Sequence, residues 1–163
     1  MRIALFQPEI PQNVGAVLRL AACLNIAVDV IEPTGFPWDD KRVRLVGMDY
    51  IDHVSITRHP SWEAFKAHIG LATADGAERA QPARLILLTT KTNASYISFD
   101  FRQGDILLLG QESAGAPAEV HETVDARVTI PMHPPMRSMN LAQSAAMVLG
   151  EALRQTGSFP STS

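Results

Sequence analysis

Three short segments of this chain gather residue types at spacings that could do chemistry. The first, Asn13-Val-Gly-Ala-Val-Leu-Arg19, carries the only charged side chain between Glu9 and Asp29. A lone guanidinium on an apolar helix suits an anion, and Gly15, four residues before it on the same face, leaves room for a phosphate to approach. The plain alternative is that Arg19 lays its stem along apolar surface and reaches water or a carboxylate. The second segment, Gly110-Gln-Glu-Ser-Ala-Gly-Ala-Pro117, follows the apolar run Ile106 to Leu109. It is neither a dinucleotide fingerprint nor a phosphate loop. Gly110 and Gly115 permit close approach of a ligand, and Glu112 could orient another side chain or a ribose; an ordinary strand-to-helix turn fits equally well. The third, Ile130-Pro-Met-His-Pro-Pro-Met-Arg-Ser-Met-Asn-Leu141, leads into the last helix. Ser138 and Asn140 offer polar atoms and capping ability at a helix start that favours negative charge. Ile130, Met132, Met139 and Leu141 around them resemble a slot for a flat apolar-faced ring such as adenine, although a proline-rich connector with a capped helix reads the same way.

The elements that must position these segments alternate. Arg2 to Phe6 reads as a buried strand, followed by a helix in which Val14, Val17, Leu18, Ala21 and Leu24 recur at helical spacing, with Asn13 as N-cap and Asn25 as its stop. Ala27 to Ile31 is a second strand, and a short helix begins near Asp39 or Asp40 and runs to Gly47. Val54 to Thr57 reads as a weaker strand, Ser61 as the cap of a helix through Trp62, Phe65 and Ile69, and Ala72 to Ala83 as a loop. Leu85 to Thr89, Ile106 to Leu109 and Ala126 to Ile130 are continuous apolar runs, the pattern of strands covered on both faces. A long helix from Asn140 to Gln155, stopped by Gly157, ends the order. The expected class is α/β, a parallel sheet with helices on both faces, where ligands sit beyond the carboxyl ends of strands. The loops beginning at Thr89, Gly110 and Pro131 lie there.

Bulk properties bound the reading. A chain of 163 residues fits one domain, here 1–157 with a flexible tail at 158–163, and a globule of that size buries roughly 70% of its unfolded surface without metal or disulfide. The single cysteine, Cys23, can form no internal disulfide, which points to a reducing cytoplasm. His53, His59, His68, His121 and His133 lack ligand spacing, so no metal is expected. The start shows no secretory signal pattern, and no window reaches the roughly 20 apolar residues of a membrane span. A net charge of -3 excludes indiscriminate nucleic-acid binding, which needs many Lys and Arg against phosphates. Any RNA contact must be a local patch.

In this order and at these separations, the three segments resemble the motifs of the SPOUT methyltransferases. FQPEIPQNVGAVLRL, IEPTGFPWDDKR and IPMHPPMRSMNL resemble, more narrowly, the TrmL (YibK) group of tRNA (cytidine/uridine-34)-2'-O-methyltransferases, over about Arg2 to Gln155. The resemblance implies a C-terminal trefoil knot, which general topology rules disfavour, and S-adenosyl-L-methionine as cofactor. It assigns the cofactor pocket to Leu88, Thr89, Gly110, Ile130, Met132, Ser138, Asn140 and Leu141, with Glu112 and Gly115 in the second loop. It assigns the reaction to Arg19, with Asn13, Glu112, Ser138 and Asn140 in support. Some members carry Arg where this chain has Ala114, so Lys41, Arg42, Arg44 and Arg137 are the expected RNA patch, facing an anticodon stem-loop. A homodimer is expected because Leu141 to Leu149 carries no charge and needs burial on two sides. A twofold interface using it and the Val14 to Leu24 helix would bring Arg19 near the partner's cofactor loop. Methylation of another tRNA or rRNA ribose, or a silent RNA-binding module, are the competing functions.

Overall fold

The computed structural model describes residues 1–39, 48–70 and 83–162. Strand β1 (Arg2–Phe6) is followed by helix α1 (Pro11–Leu24) and β2 (Ala27–Ile31); after a 3-10 turn at Met48–His53 come β3 (Ile56–His59) and α2 (Trp62–Ile69). Then β4 (Leu85–Leu88), a 3-10 turn at Tyr96–Ser98, β5 (Ile106–Leu109), α3 (Ala118–Thr123), β6 (Ala126–Val128) and α4 (Leu141–Thr156) complete the order. All pairings are parallel in one six-stranded sheet ordered β3-β2-β1-β5-β4-β6.

Alternation along the strands explains the layers. Ile3, Leu5, Ile86, Leu107 and Leu109 face one side, where α1 and α4 bury Val14, Val17, Leu18, Val148, Leu149 and Leu153. Ala4, Phe6, Leu85, Leu87, Ile106 and Leu108 face the other, covered by Trp62, Phe65 and Ile69 of α2 and Val120 of α3. With period-2 side chains and helices on both faces, β4 and β5 are apolar at every position and β1 at all but Arg2, which is why these strands read as apolar runs. Complete burial of a leucine contributes about 1.5–3 kcal/mol, so the central strands β1, β5 and β4 anchor the sheet.

One charged network breaks the apolar pattern. Asp29 is fully buried on β2, accepting from Arg2 Nε at 2.8 Å and Nη2 at 2.9 Å, with His59 Nε2 2.7 Å from its Oδ1. A buried carboxylate persists only when paired in this way. The same pairing corrects the third strand, which runs Ile56–His59 rather than 54–57: His59 is drawn inside by Asp29, a partner that local hydropathy does not show.

The first helix also starts differently. Pro11 opens it with no side-chain cap at Ile10, so Asn13 is not an N-cap but a buried residue of the first turn, its amide used elsewhere. Asn25 does end α1, in a left-handed conformation with its N–H on Ala21 and Ala22 carbonyls. Ser61 caps α2 through Ala64 N, and Asn140 and Gly157 bound α4. Strands β4 and β6 stop at Leu88 and Val128, short of Thr89 and Ile130. The helix expected from 39 or 40 to 47 and nearly all of the 72–83 loop lie outside the described residues. Among those described, no helix is long and apolar enough to cross a membrane.

Candidate functional site

The strand order reverses between β1 and β5: β2 and β3 lie to one side, β4 and β6 to the other. In open parallel sheets a crevice opens at such a switch point, beyond the carboxyl ends of the strands. Here a cleft of about 530 Å³ stands beyond β4, β5 and β6, within the usual size of a ligand site. Leu88, Thr89, Gly110, Glu112, Gly115, Ile130, Met132, Ser138, Asn140 and Leu141 all line it, although they come from three loops far apart in sequence. Asn13 of α1 closes one side.

A chain of hydrogen bonds ties the loops together. Glu112 accepts from Glu9 N at 2.9 Å, Ile10 N at 3.3 Å and Asn13 Nδ2 at 3.1 Å. Asn13 Oδ1 in turn accepts from Asn140 Nδ2 at 2.9 Å, and Asn140 Oδ1 accepts from Ala142 N and Gln143 N at the start of α4. Each amide thus has its donor and acceptor ends assigned, and the carboxylate satisfies the Glu9 and Ile10 N–H groups just before α1 begins. Glu112 therefore acts on the loop after β1 and on Asn13, not on Arg19.

Two further contacts fix the loop after β5. Glu9 receives Ser113 N and Ser113 Oγ, both at 2.8 Å; the backbone bond first, then the hydroxyl, hold the Glu9 carboxyl below the usual range. Gln111 and Gly115 exchange backbone bonds of 3.0 and 2.9 Å, closing a turn in which Gly115 has φ +70°. A Cβ on Gly110 would meet the Gly115 carbonyl carbon at 2.5 Å and Ala116 N at 2.6 Å. Those atoms are backbone, so only glycine fits there.

Arg19 is not brought to this cleft within one chain. It is exposed on α1, its guanidinium 4.7 Å from the centroid of the Tyr50 ring, whereas Gly15 is buried and offers no open approach for a phosphate. Arg137 sits in the exposed 131–140 loop, outside the cleft lining. Lys41, Arg42 and Arg44 lie outside the described residues. The cleft also includes Thr90, Lys91, Gln111, Ser113 and Ser144, which sequence reasoning missed; the positions just after Thr89 and beside Gly110 followed from strand-end logic and could have been included.

Among the described residues one trio of possible metal ligands converges, Asp29, His59 and His68, with ligand atoms within 4.8 Å. Both Asp29 oxygens already accept from Arg2, and a guanidinium at that distance repels a second cation. Asp29 is committed to Arg2 and His59 rather than open to a metal.

The SpoU rRNA Methylase family model matches residues 1–150. The chain is 53% identical to a protein of Beijerinckia indica named tRNA (cytidine(34)-2'-O)-methyltransferase, over 96% of this chain and 92% of that one. It is 39% identical to the Escherichia coli K12 protein of the same name, over 96% and 94%. A solved structure described as structural insights into the 2-OH methylation of C/U34 on tRNA superposes with TM-score 0.83 at 37% identity, covering 94% of each chain. The SpoU methyltransferase AviRb of Streptomyces viridochromogenes, in complex with AdoMet, superposes at TM-score 0.80 and 28% identity, over 95% of this chain and 60% of that one.

Proposed function

We propose, because this chain belongs to the SpoU rRNA methylase family, that it methylates the ribose 2'-oxygen of the tRNA wobble nucleotide 34, on cytidine or a modified uridine, using S-adenosyl-L-methionine. Relatives bearing the tRNA-34 name match it along nearly their whole length, which favours this substrate over an rRNA ribose. The observation that carries the reading is the cleft: three loops with apolar walls, one glycine that admits no side chain, and the Glu112–Asn13–Asn140 chain holding them in register.

Those residues fit a nucleoside cofactor. Leu88, Leu109, Ile130 and Leu141 offer apolar faces for an adenine, and the main-chain groups after β4, β5 and β6 offer edge hydrogen bonds. When bound, S-adenosyl-L-methionine supplies an electrophilic methyl on a sulfonium. What the protein must add is alignment of the attacking oxygen, exclusion of water and a route for the proton. A guanidinium holds its proton too firmly to act as a base; Arg19 orients the 2'-oxygen and stabilises the negative charge that develops there, while the proton leaves to a phosphate or water.

This assignment requires two chains. Along α4, Gln143, Ala146 and Met147 are exposed and nearly free of charge, and Arg19 and Ala16 are exposed on the adjoining α1. A twofold contact through these faces would bring Arg19 of one protomer toward the cleft of its partner. From edge strand β6 the chain returns across the ends of β4 and β5 to pack α4 on α1, the path on which a trefoil knot would be tied. Arg137 with Lys41, Arg42 and Arg44 meets the anticodon stem-loop, and the lone cysteine is consistent with a cytoplasmic enzyme. The test is transfer of labelled methyl from S-adenosyl-L-methionine to total tRNA and, separately, to rRNA. Label in a 2'-O-methylnucleoside from tRNA supports the reading, and label confined to rRNA overturns the substrate.

A further inference from the structure

We propose that a second groove, beside β6 and lined by Lys91, His121 and Arg127, binds a backbone phosphate of the RNA next to the methylated nucleotide. The groove measures about 740 Å³ and lies between the segment after β4, the helix α3 and the edge strand β6. Lys91 lines both this groove and the candidate cofactor cleft, so the two adjoin at that side chain. RNA whose ribose enters the cleft must leave it across a rim, and its flanking phosphates need cations there.

Three observations favour an anion. Lys91 and Arg127 are both exposed, and among the described residues neither forms an ion pair. His121 Nε2 is buried without a hydrogen-bond partner, although buried polar atoms are nearly always satisfied. The groove's other charged residues are Glu122 and Asp125; Asp125 Oδ2 already accepts from Leu85 N at 2.7 Å. Burial first, then the charges of Lys91 and Arg127, push His121 below its ordinary pKa. A phosphate held by Lys91 and Arg127 would offset the last two effects at the imidazole. Thr92 adds a hydroxyl to the wall.

The proposal rests on the reading of the substrate as RNA, and the experiment separates the two. Binding of unmodified tRNA is measured at two salt concentrations for the wild type, Arg127→Ala and Arg127→Lys, with cofactor binding measured by calorimetry in parallel. Arg127→Ala is expected to weaken tRNA several-fold and lower the slope of log affinity against log salt by about 0.7–0.9, with cofactor affinity unchanged and Arg127→Lys restoring most of the loss. NMR titration of the His121 ring should show its pKa rising when tRNA binds. Unchanged affinity and salt slope in Arg127→Ala, with a His121 ring that does not respond, overturn the groove while leaving the methyltransferase reading intact. A wild type that binds no tRNA overturns both.

Discussion

Asn140 donates to Asn13 Oδ1 across 2.9 Å, joining the N-cap of α4 to the first turn of α1, 127 positions earlier. Because Asn140 Oδ1 also caps α4, one side chain serves helix stability and cleft geometry through different atoms. The two roles can be separated. Asn140→Asp keeps a good cap but sets a carboxylate against Asn13 Oδ1, whose amide nitrogen is committed to Glu112. Thermal stability should change little while cofactor affinity falls, and Asn140→Ala should lose about 1 kcal/mol of stability as well. Melting curves beside calorimetric titration check this; equal loss in both variants would mean the amide contact does not shape the cleft.

Gly110→Ala should damage the cleft directly. The added methyl meets backbone rather than a side chain that could turn away, and overpacking of this kind costs about 1–3 kcal/mol. Cofactor affinity is expected to fall about tenfold or more, with the far-ultraviolet spectrum retained. Wild-type affinity in a folded Gly110→Ala protein would place the cofactor elsewhere.

Arg19→Ala should abolish methyl transfer while leaving folding and cofactor binding intact. Because the partner's Arg19 is taken to serve each cleft, co-refolded Arg19→Ala and Gly110→Ala chains should regain activity: random pairing leaves about a quarter of clefts with both intact residues. No recovery in a proven mixed dimer would put Arg19 outside the reaction or in its own chain's cleft.

The Glu9–Ser113 clasp predicts an acid-sensitive loop. Glu9's pKa is lower folded than unfolded, so its contribution to stability is fully present above the unfolded carboxylate pKa and is lost as pH falls through the folded one. Near neutral pH the clasp is insensitive to pH. Ser113→Ala should narrow the stability difference between neutral and acidic solution, measured by chemical denaturation across that range; an unaltered acid limb would show that the clasp contributes nothing.

The sequence made much of this architecture legible for a physical reason. Strands β1, β2 and β5 are covered on both faces, so Arg2–Phe6, Ala27–Ile31 and Ile106–Leu109 appear, but for Arg2 and Asp29, as apolar runs with the observed limits. Strand ends in a parallel sheet point to the loops that begin at Thr89, Gly110 and Pro131, whereas the individual residues of the cleft follow from the family resemblance. What escaped depended on partners distant in sequence. His59 entered a strand because Asp29 awaited it, and Asn13 was misread as a cap because Glu112 and Asn140, which use its amide, lie about a hundred residues away. The groove at Lys91, His121 and Arg127 is assembled from three segments that are individually ordinary.

The central claim is methylation of the ribose at nucleotide 34, and the most direct measurement maps 2'-O-methylation nucleotide by nucleotide on tRNA from cells with and without this protein. The expected result is loss of methylation at position 34 of a subset of tRNAs, restored by the wild-type chain and not by Arg19→Ala. Unchanged methylation at position 34, with loss at another tRNA position or in rRNA, would contradict it.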